Sequence, residues 1–221
     1  MVVSEAYEKG VNLFITAGED YETSKRCVEL TSLEEVYAAV GVHPSRAMID
    51  PRIEELIGDK VVAIGEIGLD KKYDKFGIPV GRQIEVFKYY LQLAKEYNLP
   101  VVVHTGRSYK EALEILFRYD VPILLHWYSG SVSLAIEAAE SGFYFSFGPA
   151  ILKYRNYDAL LSTIPLKNMM TETDFPVRIG GRENHPSLVI EVAERIAEVK
   201  GVSLRETVGT LYKNALDFFD I

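Results

Sequence analysis

Apolar and polar positions along the chain fall into short β-type runs separated by stretches with helical spacing. Leu13–Thr16, Val36–Val42, Val61–Gly65, Val101–Val103, Val121–Leu125, Phe143–Phe147 and Met169–Thr173 read as strands, rich in Val, Ile, Leu, Phe or Met. Between them the pattern predicts helices near Tyr21–Leu30, Pro51–Ile57, Arg82–Tyr97, Val132–Ser141 and Tyr157–Ser162. In Arg82–Tyr97 the apolar residues Ile84, Phe87, Leu91 and Ala94 recur on one helical face. Boundary signals support several of these elements. Asp50 precedes Pro51 as an N-cap, Ser108 with Glu111 and Ser203 with Glu206 have capping-box spacing, and Gly142 suits a left-handed helix end. Two helices, near Ser187–Lys200 and Leu204–Phe219, are expected to finish the chain, and Val2–Lys9 reads as the end of another.

A strand-helix alternation this regular predicts the α/β class and a parallel TIM-type (β/α) barrel. Such a barrel has eight strands, and seven are recognisable here, so the first is expected to lie before Met1. A shortened start is favoured over a genuinely short protein. A gap in the barrel would expose the strand edges near Leu13–Thr16 and Met169–Thr173, which predicts self-association through them.

Composition narrows the class. The 221 residues, 48% of them hydrophobic, suffice for a full core, and no linker or composition break appears, so residues 1–221 are expected to form one hydrolase domain. Apolar runs are only strand-length, which argues against a membrane span or signal peptide and makes a cytoplasmic enzyme the expectation. A single cysteine, Cys27, excludes an internal disulfide and a thiolate zinc cluster. Any metal must therefore be held by His and carboxylates.

Four residues of that kind follow the apolar runs: Glu66, His104, His126 and Asp174. Taken singly, a His at a strand end is most often a hydrogen-bonded core residue. Four in succession, at the strand ends where a barrel builds its active site, point to a metal-dependent catalytic centre. Two imidazoles and a carboxylate suit Zn²⁺, with Mn²⁺ an option where more carboxylate and water are present. Glu66, His104 and His126 make a complete three-ligand set, leaving Asp174 to orient or deprotonate a water.

Longer motifs add a family resemblance. Val62-Ala63-Ile64-Gly65-Glu66-Ile67-Gly68-Leu69-Asp70, Leu99-Pro100-Val101-Val102-Val103-His104-Thr105, His126-Trp127-Tyr128-Ser129-Gly130 and Glu172-Thr173-Asp174-Phe175-Pro176 resemble the TatD family of metal-dependent deoxyribonucleases. So do Gly41-Val42-His43-Pro44 and Arg182-Glu183-Asn184-His185-Pro186. The resemblance implies a barrel hydrolase that cleaves phosphodiesters in DNA with one or two divalent ions, Zn, Mn or Mg. It makes Glu66 a bridging carboxylate, His104 and His126 ligands of one ion, and Asp174 a ligand of the other. Glu66 and Asp174 carry the catalysis, and His43, Arg107, Tyr128 and Arg182 are candidate substrate contacts. The family's Asp-x-His-x-His segment has no counterpart, so a second ion would be weak, absent or completed by residues outside the 221.

Charge shapes the substrate expectation. The net charge is −8, yet Lys71, Lys72, Lys75, Arg82, Arg107, Lys110, Lys153, Arg155, Arg178 and Arg182 all follow strand ends. A basic mouth on an acidic body suits a few phosphate contacts and is unsuited to tracking long duplex DNA. Single-stranded DNA or short oligonucleotides, trimmed exonucleolytically, are the expected substrates. Two alternatives stay open: an amide or ester hydrolase on the same barrel, and a catalytically impaired barrel acting as a binding protein.

Overall fold

The computed structural model describes residues 2–181 and 183–221. Arg182, a candidate substrate contact, lies outside the described residues. Nine α-helices and seven strands are found among those described. They run α1 (Val2–Glu8), β1 (Phe14–Ala17), α2 (Tyr21–Leu30), β2 (Val36–Val40), β3 (Val61–Gly68), α3 (Val80–Glu96), β4 (Val101–His104), α4 (Tyr109–Leu116) and β5 (Ile123–His126). There follow α5 (Val132–Glu140), β6 (Tyr144–Phe147), α6 (Ala150–Lys153), α7 (Asp158–Thr163), β7 (Met169–Thr171), α8 (Val189–Lys200) and α9 (Leu204–Phe219). The α/β class and the seven-strand series of a TIM-type barrel are therefore as the hydrophobic pattern predicts.

The chain forms two compact units, one of Leu13–His126 with Phe218–Ile221 and one of Met1–Asn12 with Trp127–Asp217. In the first unit, β1 to β5 pair in parallel with each successive neighbour. Their outer faces are covered by amphipathic helices. Val86, Phe87, Tyr90, Leu91 and Ala94 of α3 are buried, as are Ile64 and Ile67 of β3 and Val101 and Val103 of β4. The Tyr90 hydroxyl accepts from the Asp50 N–H at 3.0 Å and tethers the segment after β2 to α3. In the second unit β6 and β7 pair in parallel, Phe145 opposite Met169.

Three departures from the sequence expectation bear on the site. The segment after Asp50 is a 3₁₀ helix, Pro51–Leu56, rather than an α-helix, although Asp50 caps it as expected by accepting from the Arg52 N–H at 3.1 Å. β3 continues to Gly68, so Glu66 sits inside the strand, at an irregularity in the β3–β4 ladder between Ile64 and Ile67. The expected Ser108–Glu111 capping box at α4 is not made. Both side chains are drawn instead to Lys71: Ser108 Oγ accepts from its N–H at 3.1 Å, and Glu111 pairs with its ammonium. Spacing along one segment cannot reveal a competitor 37 residues away.

Candidate metal centre

Parallel register brings the first-unit candidates together. His104 lies opposite His126 across β4 and β5, and Gly68 lies opposite His104 across β3 and β4. On each strand the imidazole follows, two residues on, a side chain of the same face: Val102 before His104, Leu124 before His126. Glu66 is the hub. Its Oε1 is 2.7 Å from His104 Nδ1, 3.8 Å from His126 Nε2 and 3.9 Å from His43 Nε2. Ligand atoms of His43, Glu66 and His104 all lie within 4.8 Å of one another, a group able to hold a metal ion.

The donor chemistry fits a divalent cation. An ion with donors at about 2.1 Å in tetrahedral array would space them about 3.4 Å apart. The 3.8 Å separation of His126 from Glu66 is close to that spacing, and the shorter His104–Glu66 contact is a hydrogen bond that a cation would replace. Burial by itself would raise the Glu66 carboxyl, but His126, His104 and His43 together hold it well below the usual carboxylate range. It is therefore ionised at neutral pH.

Asp70 completes the cluster. Its Oδ2 lies 3.2 Å from His104 Nε2, so His104 meets a carboxylate at each ring nitrogen. Asp70 is only 2% exposed, and burial would raise its carboxyl, yet His104 and Lys72 lower it to about 2. Burial pushes the His104 imidazole down, whereas Asp70 and Glu66 push it up, and the net shift is upward. Asp70 is held in turn by Gln83, whose Oε1 accepts the Asp70 N–H at 2.8 Å while its amide donates to the Asp70 carbonyl at 3.2 Å. Two glycines make room. A Cβ on Gly106 would lie 2.4 Å from Asp70 Oδ2 and 2.6 Å from His104 Nε2, and one on Gly68, at φ 143°, would lie 2.0 Å from the His104 carbonyl oxygen. The His104–Asp70 contact thus leaves no space for a side chain at Gly106.

His43 comes from the loop after β2 and is almost wholly buried. Its ring packs edge-on against His104 at 4.6 Å and against Tyr73 at 5.7 Å between centroids. Burial lowers its imidazole to about 4; nearby His104 and Lys72 add to the effect and Glu66 opposes it. Arg107 is exposed in the loop after β4, at φ 53°.

Asp174 belongs to the second unit, three residues past the end of β7, with φ 52°. Tyr128, a candidate substrate contact, is fully buried there; it packs edge-on against Phe145 and donates its hydroxyl to the Ser131 carbonyl at 3.0 Å. Glu172 accepts the Trp127 N–H at 2.8 Å. Several of the basic residues after strand ends are neutralised locally: Lys72 by Asp70, Lys71 by Glu111 and Arg178 by Glu183.

Comparison with known proteins agrees with this geometry. The family model described as TatD related DNase matches residues 1–220. An uncharacterized metal-dependent hydrolase of Methanocaldococcus jannaschii is 33% identical over 227 residues, covering 99% of this chain and 89% of that protein. A putative deoxyribonuclease of Danio rerio is 31% identical over 238 residues, covering 99% of this chain and 90% of that protein. Among solved structures, the TatD homolog YjjV of Escherichia coli superposes with a TM-score of 0.88 at 27% identity, covering 100% of this chain and 91% of that one. No helix among the described residues is long and apolar enough to cross a membrane. With a family match over nearly every residue and a carboxylate–imidazole cluster at the strand ends, the chain belongs to the TatD-related DNase family of metal-dependent hydrolases.

Proposed function

We propose that the protein is a metal-dependent phosphodiesterase that cleaves DNA, taking single strands or short oligonucleotides and trimming them from an end. The observation that carries this reading is the convergence of three imidazoles on the Glu66 carboxylate at 2.7–3.9 Å. Glu66, His104 and His126 would hold the ion, with Zn²⁺ or Mn²⁺ matching the donors. A divalent ion supplies two things a phosphodiester needs at neutral pH: a water of lowered pKa and positive charge beside the phosphoryl oxygens. Asp70 keeps the His104 ring in one orientation, as an outer carboxylate does for a ligating imidazole. Arg107, exposed beyond β4, is suited to a phosphate contact. Asp174 enters on the motif resemblance, as a further carboxylate for the reaction.

The preference for short or single-stranded substrates rests on charge. A body of net charge −8, with three of its basic loop residues already paired to carboxylates, supports few phosphate contacts. The test is hydrolysis of end-labelled single-stranded and duplex oligonucleotides with Mn²⁺, Zn²⁺ or Mg²⁺, against a chelator control and Glu66→Ala. Single-strand cleavage that weakens as salt rises and vanishes in both controls supports the reading. Salt-indifferent cleavage of a small ester or amide, with oligonucleotides untouched, would replace it with the other hydrolase chemistry.

A further inference from the structure

The grouping of His43 with Glu66 and His104 makes it look like a metal ligand, but its own turn argues otherwise. The Ser45 N–H donates to His43 Nδ1 at 3.1 Å, and Ser45 Oγ lies 2.8 Å from the same nitrogen. A main-chain N–H can only donate, so Nδ1 must present its lone pair to it. A neutral imidazole then carries its one proton on Nε2. That nitrogen faces the cluster, 3.9 Å from Glu66 Oε1, and a protonated nitrogen has no lone pair to offer a cation. The distance is also too long for a hydrogen bond, so the donor is not spent on Glu66.

The ring is held in this attitude from several sides. The His43 N–H donates to the Glu19 carbonyl at 3.0 Å, the Arg46 N–H donates back to the His43 carbonyl at 2.9 Å, and the rings of Tyr73 and His104 flank it edge-on. His104 differs, since both its nitrogens meet carboxylates.

We propose that His43 is not a metal ligand but a neutral, Nε2-protonated donor, fixed by the Ser45 turn and aimed at a phosphoryl oxygen of the substrate beside Glu66. This inference rests on the phosphodiesterase reading for its substrate and on the turn alone for its tautomer. A donor locked in place before substrate arrives stabilises charge that develops on the phosphoryl oxygens without reorganising at the moment of reaction.

Two measurements on the full chain test it. In ¹⁵N imidazole spectra, with His43 assigned through His43→Gln, Nε2 should carry the proton without metal and keep it when Zn²⁺ is added, while Zn²⁺ perturbs His104 and His126. A His43 Nε2 that loses its proton to Zn²⁺ overturns the proposal. In the second, His43→Ala should leave the Zn²⁺ stoichiometry unchanged in calorimetry and lower kcat about 10²–10³-fold, the cost of one preorganised donor, with His43→Gln recovering part through its amide N–H. Loss of one Zn²⁺ equivalent, or an unchanged kcat, overturns it. If the parent protein cleaves no oligonucleotide with any metal, the nuclease reading falls, and the imidazole spectra still decide between donor and ligand.

Discussion

The tripeptide His-Pro-Ser occurs twice, at His43–Ser45 in one compact unit and at His185–Ser187 in the other, and both copies fold into the same turn. In each, the Ser N–H donates to the His Nδ1, at 3.1 and 3.2 Å, and the Ser Oγ lies 2.8 Å from that nitrogen. In each, Nε2 faces a carboxylate: Glu66 at 3.9 Å for His43 and Glu5 at 3.5 Å for His185. The surroundings separate them. Glu66 is 14% exposed and shared among three imidazoles, whereas Glu5 is 62% exposed, on the short helix α1. The local sequence therefore sets the tautomer of a histidine, and the packing around the turn sets what that tautomer can do.

The sharpest way to break this contrast is to remove the hub. Glu66→Ala should abolish tight Zn²⁺ or Mn²⁺ binding in calorimetric titration and lower oligonucleotide cleavage by more than about 10³-fold, since it takes away a ligand charge. Next in size is the paired comparison of the turns themselves. His43→Ala should cost about 10²–10³-fold in kcat, and His185→Ala less than about threefold. Equal losses would erase the functional distinction between the two turns.

A pH titration sharpens the contrast without any substrate. His43 has its folded pKa lowered to about 4, below the ordinary 6.5, so the unfolded chain binds its proton more readily. Its contribution to stability is complete above pH 6.5 and is lost as the pH falls towards 4, by roughly 3 kcal/mol. His104 is shifted the other way, upward, by Asp70 and Glu66, so any slope it adds near the top of that window has the opposite sign. Denaturant unfolding of metal-free protein between pH 4 and 6.5 should show this slope, reduced in His43→Gln. A smaller effect is expected for Asp70→Asn, which leaves His104 in place but frees its ring; metal affinity should fall about 10- to 100-fold. The least is expected at the second turn. Ser187→Ala removes only the hydroxyl and should cost about 0.5–1 kcal/mol in unfolding free energy with no change in metal titration.

Much of this was legible in the chain because the signals are local. α2 has the expected bounds, α9 likewise, and Ser203 Oγ accepts from the Glu206 N–H at 3.3 Å as the capping spacing implied. Glu66, His104 and His126 were visible because apolar alternation marks strand ends and these residue types interrupt it. The part played by Asp70 was not legible, because its Gln83 clamp and its contact with His104 join residues 13 and 34 positions apart. The same holds for Ser108 and Glu111, where correct cap spacing was overruled by Lys71 arriving from the β3 loop. Tyr128 could not be recognised as buried from its place two residues after His126, because its burial depends on packing against Phe145, 17 positions further along the chain.

By itself the sequence determined the α/β alternation, the strand-end placement of His104 and His126, and the family. These depend on periodicity, caps and short-range hydrogen bonds, which act over a few residues. Tertiary structure alone decided that His43 joins the Glu66 cluster, that Asp70 holds the second nitrogen of His104, and that Lys71 takes the caps of α4. Those outcomes depend on parallel register and on competition between partners distant in the chain. Neither leaves a trace in the spacing of residues along it.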